Sequence, residues 1–514
     1  MNGAESLIQT AIDCGVEVCF ANPGTTEMPV VAAMDRIPGI RAVLGLHESV
    51  VTGAADGYGR MAGKPALTLL HLGPGFANGI ANLHNARRAR TPLINLIGEH
   101  ASWHLAADAP LHSDIDSLAR TVSGWVRSSA SAAQMSHDFA EAFAAVTNGA
   151  GQSASLILPH DYQLGETNGA APPPAAVAPA AVPDDRIKAA AEALGRGHAA
   201  LMLGDTALTV EGLRAAARVG QRCDVPLFCQ RGLARAERGA GLPSPHTIPY
   251  LPEQALEALA GFRSVVYAGA RDPVAFFGWP GYPSRMLPEG CAEVQLARPG
   301  EDIVGALEAL ADHMNAPAYT APAAEARPEL ASGPLTADAV CRTIARFQPE
   351  NCILVDEAIT SGWSYHTLSS SAPRFSQLSI TGGAIGIGPA CATGAAIACP
   401  DRTVINFEAD GSGMYTVQAL WTQAREALDV VTVICANRAY KILQMELQRG
   451  GLNAPGPQAQ ALTSLADPTV DWTKVAEGLG VGAVSVDTAE ALADAFQQAL
   501  ATRGPVLIEA VISA

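Results

Sequence analysis

Charge is scarce in this chain. Only 16% of its 514 residues are Asp, Glu, Lys or Arg, and basic residues are outnumbered 33 to 50. A net charge of −17 repels phosphate backbones and excludes nucleic-acid binding as the main role. No uninterrupted apolar run approaches the ~20 residues of a spanning helix, so no membrane association is expected. The opening segment, MNGAESLIQTAIDCG, lacks the basic start and apolar core of a signal peptide and reads as an amphipathic helix. Ten cysteines include no C-x-x-C pair, which speaks against cysteine-ligated zinc. Most of them lie in apolar runs as small core residues, and a reducing cytoplasm is the expected setting. No G-x-G-x-x-G follows a first strand with an acidic residue ~20 positions on, which counts against a nucleotide-dependent oxidoreductase. A phosphate-bearing ligand would have to be held locally, by backbone amides or a bound cation.

Apolar residues are plentiful, at 48%, enough for several cores. At ~100–200 residues per domain, the length predicts about three domains. Two Ala/Pro-rich stretches, 166–183 and 315–334, read as semi-extended linkers. They divide the chain into domains at 1–165, 184–314 and 335–514. Each alternates short apolar runs (KPALTLLHL, HAALMLGD, RTVINFEAD) with longer amphipathic stretches (ESVVTGAADGYGRMAG, VEGLRAAARVGQRC, YTVQALWTQAREAL). That alternation predicts three consecutive doubly wound α/β domains with parallel sheets, whose ligands gather at the carboxyl ends of strands.

The most informative stretch runs from Glu408 to Tyr440. A strand, VINFEA, leads into Asp410, Gly411, Ser412 and Gly413, which turn the chain into a helix. The next strand, VVTVICA, ends at Asn437, 27 residues after Asp410. One β–α–β unit thus brings a carboxylate and an amide oxygen to the same sheet edge. Two hard oxygen donors beside a glycine-rich helix start suit Mg²⁺ carrying a diphosphate. Asp-Gly turns are common, so D-G-S without its Asn partner is equally a simple turn.

Asp-Gly-Ser followed by Asn437 resembles the cofactor motif of thiamin-diphosphate enzymes, in the branch of acetolactate synthase and benzoylformate decarboxylase. Ala409 and Ala436 replace the motif's usual first Gly and first Asn. The resemblance implies thiamin diphosphate and Mg²⁺ as cofactors, with Asp410, Asn437 and the carbonyl of Ala439 as metal ligands. It further implies that Glu48, in LHESVVTGAADGYGR, hydrogen-bonds the aminopyrimidine and promotes loss of the thiazolium C2 proton. Glu48 is otherwise a carboxylate in the first turn of a helix, where the dipole favours it. In TGGAIGIGPACATGAA, Gly383 belongs to the glycine-rich segment and Ile385 to the wedge between the cofactor's two rings. Thr360, with Ser361 next to it, stands where the family contacts the diphosphate.

His71 lies at a strand end 23 residues after Glu48, in a context resembling the catalytic histidine of benzoylformate decarboxylase. A lone strand-end histidine is commonly structural, but an imidazole can both give and take a proton near neutrality. Second-rank substrate candidates are Thr25, His112, Phe276, Phe277, Leu443, Met445 and Glu446. Tandem histidines and an F-Q-E run near Leu111–Asp114 are absent. The expected activity is decarboxylation of a 2-oxo acid, ending in an aldehyde or in ligation to a second carbonyl. An acetolactate-synthase-like carboligase and a catalytically silent homologue are the alternatives. Family members complete their site between subunits, so a homodimer is the minimum and a homotetramer the expected assembly. No residue set demands a flavin in the middle domain.

Overall fold

The computed structural model describes residues 1–321 and 325–512. Residues 322–324 of the second expected linker and 513–514 of the third expected domain lie outside the described residues. The opening segment forms the helix Gly3–Asp13, capped by Asn2. Three sheets follow. The first contains β1 (Val18–Asn22), β2 (Arg41–Leu44), β3 (Ala66–Leu70), β4 (Leu93–Glu99), β5 (Trp125–Ser128) and β6 (Ser153–Pro159). Its order is β2-β1-β3-β4-β6-β5, parallel throughout.

The chain continues through β7 (Ala199–Leu203), β8 (Leu227–Cys229), β9 (Ala236–Arg238), β10 (His246–Thr247), β11 (Ser264–Ala268) and β12 (Ala292–Ala297). All but β9 build a parallel five-stranded sheet in the order β10-β8-β7-β11-β12. The third sheet holds β13 (Cys352–Glu357), β14 (Phe375–Ser379), β15 (Val404–Ala409), β16 (Val430–Ala436), β17 (Gly482–Val486) and β18 (Val506–Val511), ordered β17-β18-β16-β15-β13-β14-β9. The doubly wound architecture read from the alternating pattern is therefore present three times. Apolar runs such as VVTVICA are buried along their whole length, as strands covered on both faces must be.

Two local expectations differ. Strand β9 lies within 184–314 by sequence, yet it pairs antiparallel with β14 in the third sheet. Three residues, Ala-Glu-Arg, carry too little periodicity to reveal that pairing. The helix expected over YTVQALWTQAREAL is interrupted: a tight turn at Met414–Thr416 precedes a helix at Ala419–Arg425. There the Thr416 hydroxyl bonds the Gly386 carbonyl at 2.9 Å, a tertiary contact that outweighs helix propensity.

The first and third sheets are tied together by two helices, Glu48–Ala62 and Gly388–Ala398. Their backbones approach closely because small residues face one another. A methyl on Gly53 would come 2.6 Å from the Ala390 Cβ, and one on Gly57 would overlap the Cys391 carbonyl. Beside them Arg60 pairs with Asp56 and donates to the Ser379 carbonyl at 2.8 Å, all in the interior. Removing one partner of such a buried pair costs about 3–5 kcal/mol, so this contact fixes how the first sheet meets the third.

Candidate active site

At the carboxyl edge of the first sheet, β3 ends at Leu70 and His71 begins the helix Leu72–Ala89. His71 Nδ1 lies 2.8 Å from Glu27 Oε2, and Glu27 is fully buried. Glu27 is itself held by the Gly24 amide at 2.7 Å and the Thr26 hydroxyl at 2.6 Å. This carboxylate fixes the ring's orientation and leaves Nε2 as the nitrogen free to exchange a proton. Glu48 opens its helix and is 9% exposed, and its Oε2 accepts from the Asn78 amide at 3.0 Å. Gly75 lets the two groups converge: a methyl there would lie 3.0 Å from Glu48 Oε1 and 3.3 Å from His71 Cβ. Leu72, buried and directly after His71, has a φ of 51°, a strained value for a bulky residue. Of the weaker candidates, Thr25 is exposed on the neighbouring turn. His112 sits on the loop whose Ser113 packs against Gly73, and its Nδ1 is buried without a hydrogen-bond partner.

At the carboxyl edge of the third sheet, β15 runs into Asp410. The glycine-rich start predicted there is a four-residue helical turn, Asp410–Gly413, rather than the start of a long helix. Asp410 Oδ1 accepts from the Gly411 amide at 2.9 Å, and Oδ2 accepts from the Arg438 amide at 2.6 Å. The second bond brings the carboxylate onto the Asn437–Ala439 loop, where Asn437 Oδ1 accepts from the Ala439 amide at 3.0 Å. Burial pushes the Asp410 carboxyl up to about 6, against the pull of these amides. A cavity of about 80 Å³ opens beside it, lined by Gly411, Met414, Arg438 and Tyr440. A methyl on Gly411 would reach within 2.5 Å of the Tyr440 ring, so only glycine allows that approach. Asp410 on the wall of this cavity, with the Asn437 amide oxygen on the adjoining loop, offers oxygen donors that suit a hard cation with a diphosphate. Ser412 is buried just behind, and Thr360 is half-buried on the turn after β13, lining neither this cavity nor the larger one.

A second cavity, of about 800 Å³, gathers Gly383, Ile385, Phe276, Phe277, Leu443 and Glu446. Gly383 has a φ of 78°, and a methyl there would come 2.7 Å from Phe276. Phe276 and Phe277 stack edge-to-face at 5.0 Å and are more than half exposed. Glu446 holds the Trp279 indole at 3.0 Å and so closes the helix Lys441–Arg449 onto the aromatic loop. Met445 does not line this cavity. Arg87, Arg88, Arg90 and Arg271 make part of the wall positive; burial and the neighbouring arginines hold Arg271 down to about 10.

The structure thus assembles three groups: Glu48 with His71, Asp410 with the Asn437 loop, and Ile385 with the aromatic candidates. No residue of the first sheet's edge lines the Asp410 cavity. Sequence reading missed Glu27, although its segment ANPGTTEMP stood out, because nothing in a Thr-Thr-Glu turn marks the acid as buried. It also missed Glu357 and Glu408, whose signal was an acid at or next to the end of a mostly apolar strand. Burial raises the Glu357 carboxyl to about 7 and raises that of Glu408 well above the carboxylate range.

Residues 1–119 match the thiamine pyrophosphate enzyme N-terminal TPP binding domain, and residues 359–510 match the C-terminal TPP binding domain. The chain belongs to the thiamine pyrophosphate enzyme family. It is 49% identical to a Mycobacterium tuberculosis protein named "Putative acetolactate synthase large subunit IlvX", over all of this chain and 99% of that one. It is 29% identical to the benzoylformate decarboxylase of Pseudomonas aeruginosa over 96% of both chains. The fold matches a thiamine diphosphate-dependent 4-hydroxybenzoylformate decarboxylase from Rhodococcus jostii RHA1. That match has a TM-score of 0.88 at 23% identity, over 100% of this chain and 99% of the other.

Proposed function

We propose that this chain is a Mg²⁺- and thiamin-diphosphate-dependent enzyme that decarboxylates a 2-oxo acid and releases an aldehyde. The observation that carries the reading is the convergence of Glu48 and the Glu27–His71 pair on Gly75. When bound, thiamin diphosphate supplies the carbon that attacks the ketone and takes up the electrons left as CO₂ departs. Asp410, Asn437 and the Ala439 carbonyl would hold its cation and diphosphate. Glu48 would hold the aminopyrimidine, and Ile385 the bend between its rings. His71, kept in one tautomer by Glu27, exchanges a proton at the reacting carbon through Nε2. The Asp410 cavity has no lining residue from the first sheet, which supports completion of the site by a second copy. The working assembly is then a homodimer at least, and in our reading a homotetramer.

A second reading is a carboligase of the acetolactate-synthase kind, favoured by the 49% identical relative bearing that name. Both outcomes share every step up to CO₂ loss. Incubation with pyruvate, 2-oxobutyrate, benzoylformate and phenylpyruvate, with CO₂, aldehyde and acyloin measured, separates them. Aldehyde as main product supports the first reading, acyloin the second. No CO₂ release from any substrate, with cofactor bound, would favour a silent homologue.

A further inference from the structure

Beneath the helix Gly388–Ala398 the third sheet carries a polar layer that the proposed chemistry does not use. Glu357 and Glu408 are register partners on β13 and β15, with exposures of 1% and 0%. Glu357 caps the helix: its Oε1 accepts from the Gly386 amide at 2.7 Å and its Oε2 from the Gly388 amide at 2.6 Å. Those amides and the helix dipole offset one negative charge. Glu408 has less help, from the Ala409 amide at 3.2 Å and the side chain of Asn406, and no positively charged group faces it among the described residues.

The neighbours of Glu408 are unsatisfied too. Asn406, on the same face of β15 and fully buried, leans its side-chain NH2 on Glu408, and its Oδ1 has no partner among the described residues. Thr432, its register partner on β16, has a buried hydroxyl without a partner. Gln423 donates to Pro389 O, next to Gly388, at 3.1 Å, and its Oε1 is likewise unpartnered. The oxygens converge. A methyl on Gly388 would overlap Glu408 Oε2 and come 2.9 Å from Asn406 Oδ1 and 3.0 Å from Glu357 Oε2. Unsatisfied buried polar atoms are rare, and a cluster of them around one uncompensated carboxylate calls for an occupant.

We propose that Glu357, Glu408 and Asn406, with Thr432 and Gln423 beside them, hold one dehydrated monovalent cation of the Na⁺ or K⁺ class. The charge count selects a single positive charge, because the helix start already answers Glu357. The donors are oxygens, which suit an alkali cation. Mg²⁺ is disfavoured because it keeps several waters and demands a near-ideal octahedron.

The test uses the full chain free of thiamin diphosphate and Mg²⁺, melted in choline, Na⁺ and K⁺ chlorides at equal ionic strength and pH. Saturating Na⁺ or K⁺ raises the midpoint by roughly 5 °C over choline, with a saturable concentration dependence. Glu408→Gln removes that dependence and melts in choline no lower than the wild type. Thr432→Val, which keeps the shape, raises the cation concentration for half the shift by about 3–10-fold, or about 0.7–1.4 kcal/mol. Soaked Rb⁺ gives an anomalous peak between Glu357, Glu408 and Asn406. Equal midpoints in all three salts overturn the proposal, as does a dependence that survives in Glu408→Gln. A midpoint that follows pH but not the identity of the cation also overturns it, since a shared proton then fills the role. Without coenzyme in the assay, failure here leaves the proposed function standing.

Discussion

The edges of the first and third sheets handle buried charge in opposite ways. In the first, side chains answer one another: Glu27 meets His71, and Asn78 meets Glu48. In the third, Asp410 and Glu357 find only backbone amides, and burial lifts both carboxyls to about 6 and 7. A pair such as Glu27–His71 orients a proton carrier whether or not a ligand is present. For Asp410, which has no long helix start behind it, the amides leave ionisation costly until a cation arrives. In our proposal one edge moves protons and the other receives positive charge.

Substitutions can break that contrast. Glu48→Gln should cut 2-oxo acid turnover by about 100-fold or more while the affinity for thiamin diphosphate, read by calorimetry, changes little. Full activity in that variant would remove Glu48 from the proton-handling role. Asp410→Asn should weaken Mg²⁺-dependent binding of thiamin diphosphate by roughly 10–100-fold, measured as lost thermal stabilisation. Without ligand the same variant loses one of the two amide bonds, but it should gain on the wild type as pH rises from 4 to 8. A folded carboxyl near 6, above the ~3.9 of a free aspartate, means that ionised Asp410 opposes folding at pH 8. That penalty fades as pH falls below 6 and is gone near pH 4, so the gap between the two midpoints should shift in the variant's favour between pH 4 and pH 8. A gap that is the same at pH 4 and pH 8 would show that the third edge carries no such cost.

Smaller effects sharpen the contrast. Glu27→Gln keeps a hydrogen bond to His71 but not the charge. It should lower kcat by about 10-fold, leave KM nearly unchanged and displace one limb of the pH–rate profile. An unchanged profile would reduce Glu27 to packing. Leu443→Ala, at the cavity wall, should change KM for a bulky 2-oxo acid by a few-fold, whereas Met445→Ala should change it less than about twofold. Equal effects from the two would detach the larger cavity from substrate binding.

Much of the architecture was legible because apolar strands buried on both faces leave continuous runs, and VINFEA and VVTVICA are unmistakable. Asp410 and Asn437 were legible because two parallel strands joined by a crossover end at the same edge of a sheet. Glu27 was not: its burial depends on Gly24, Thr26 and His71, which come together only when β1 and β3 pair. The layer of Glu357, Asn406, Glu408 and Thr432 was hidden for a similar reason, since its members are neighbours through register on three strands. Strand β9 escaped because three residues carry too little pattern to announce a partner.

That short strand has a consequence for how the chain could be rearranged. By lending one rung from the middle of the sequence to the border of the last sheet, it covers a row of backbone groups that would otherwise be open to pairing with another molecule. Excising the middle third would therefore expose a sticky margin on what remained, so the three segments are not freely interchangeable modules.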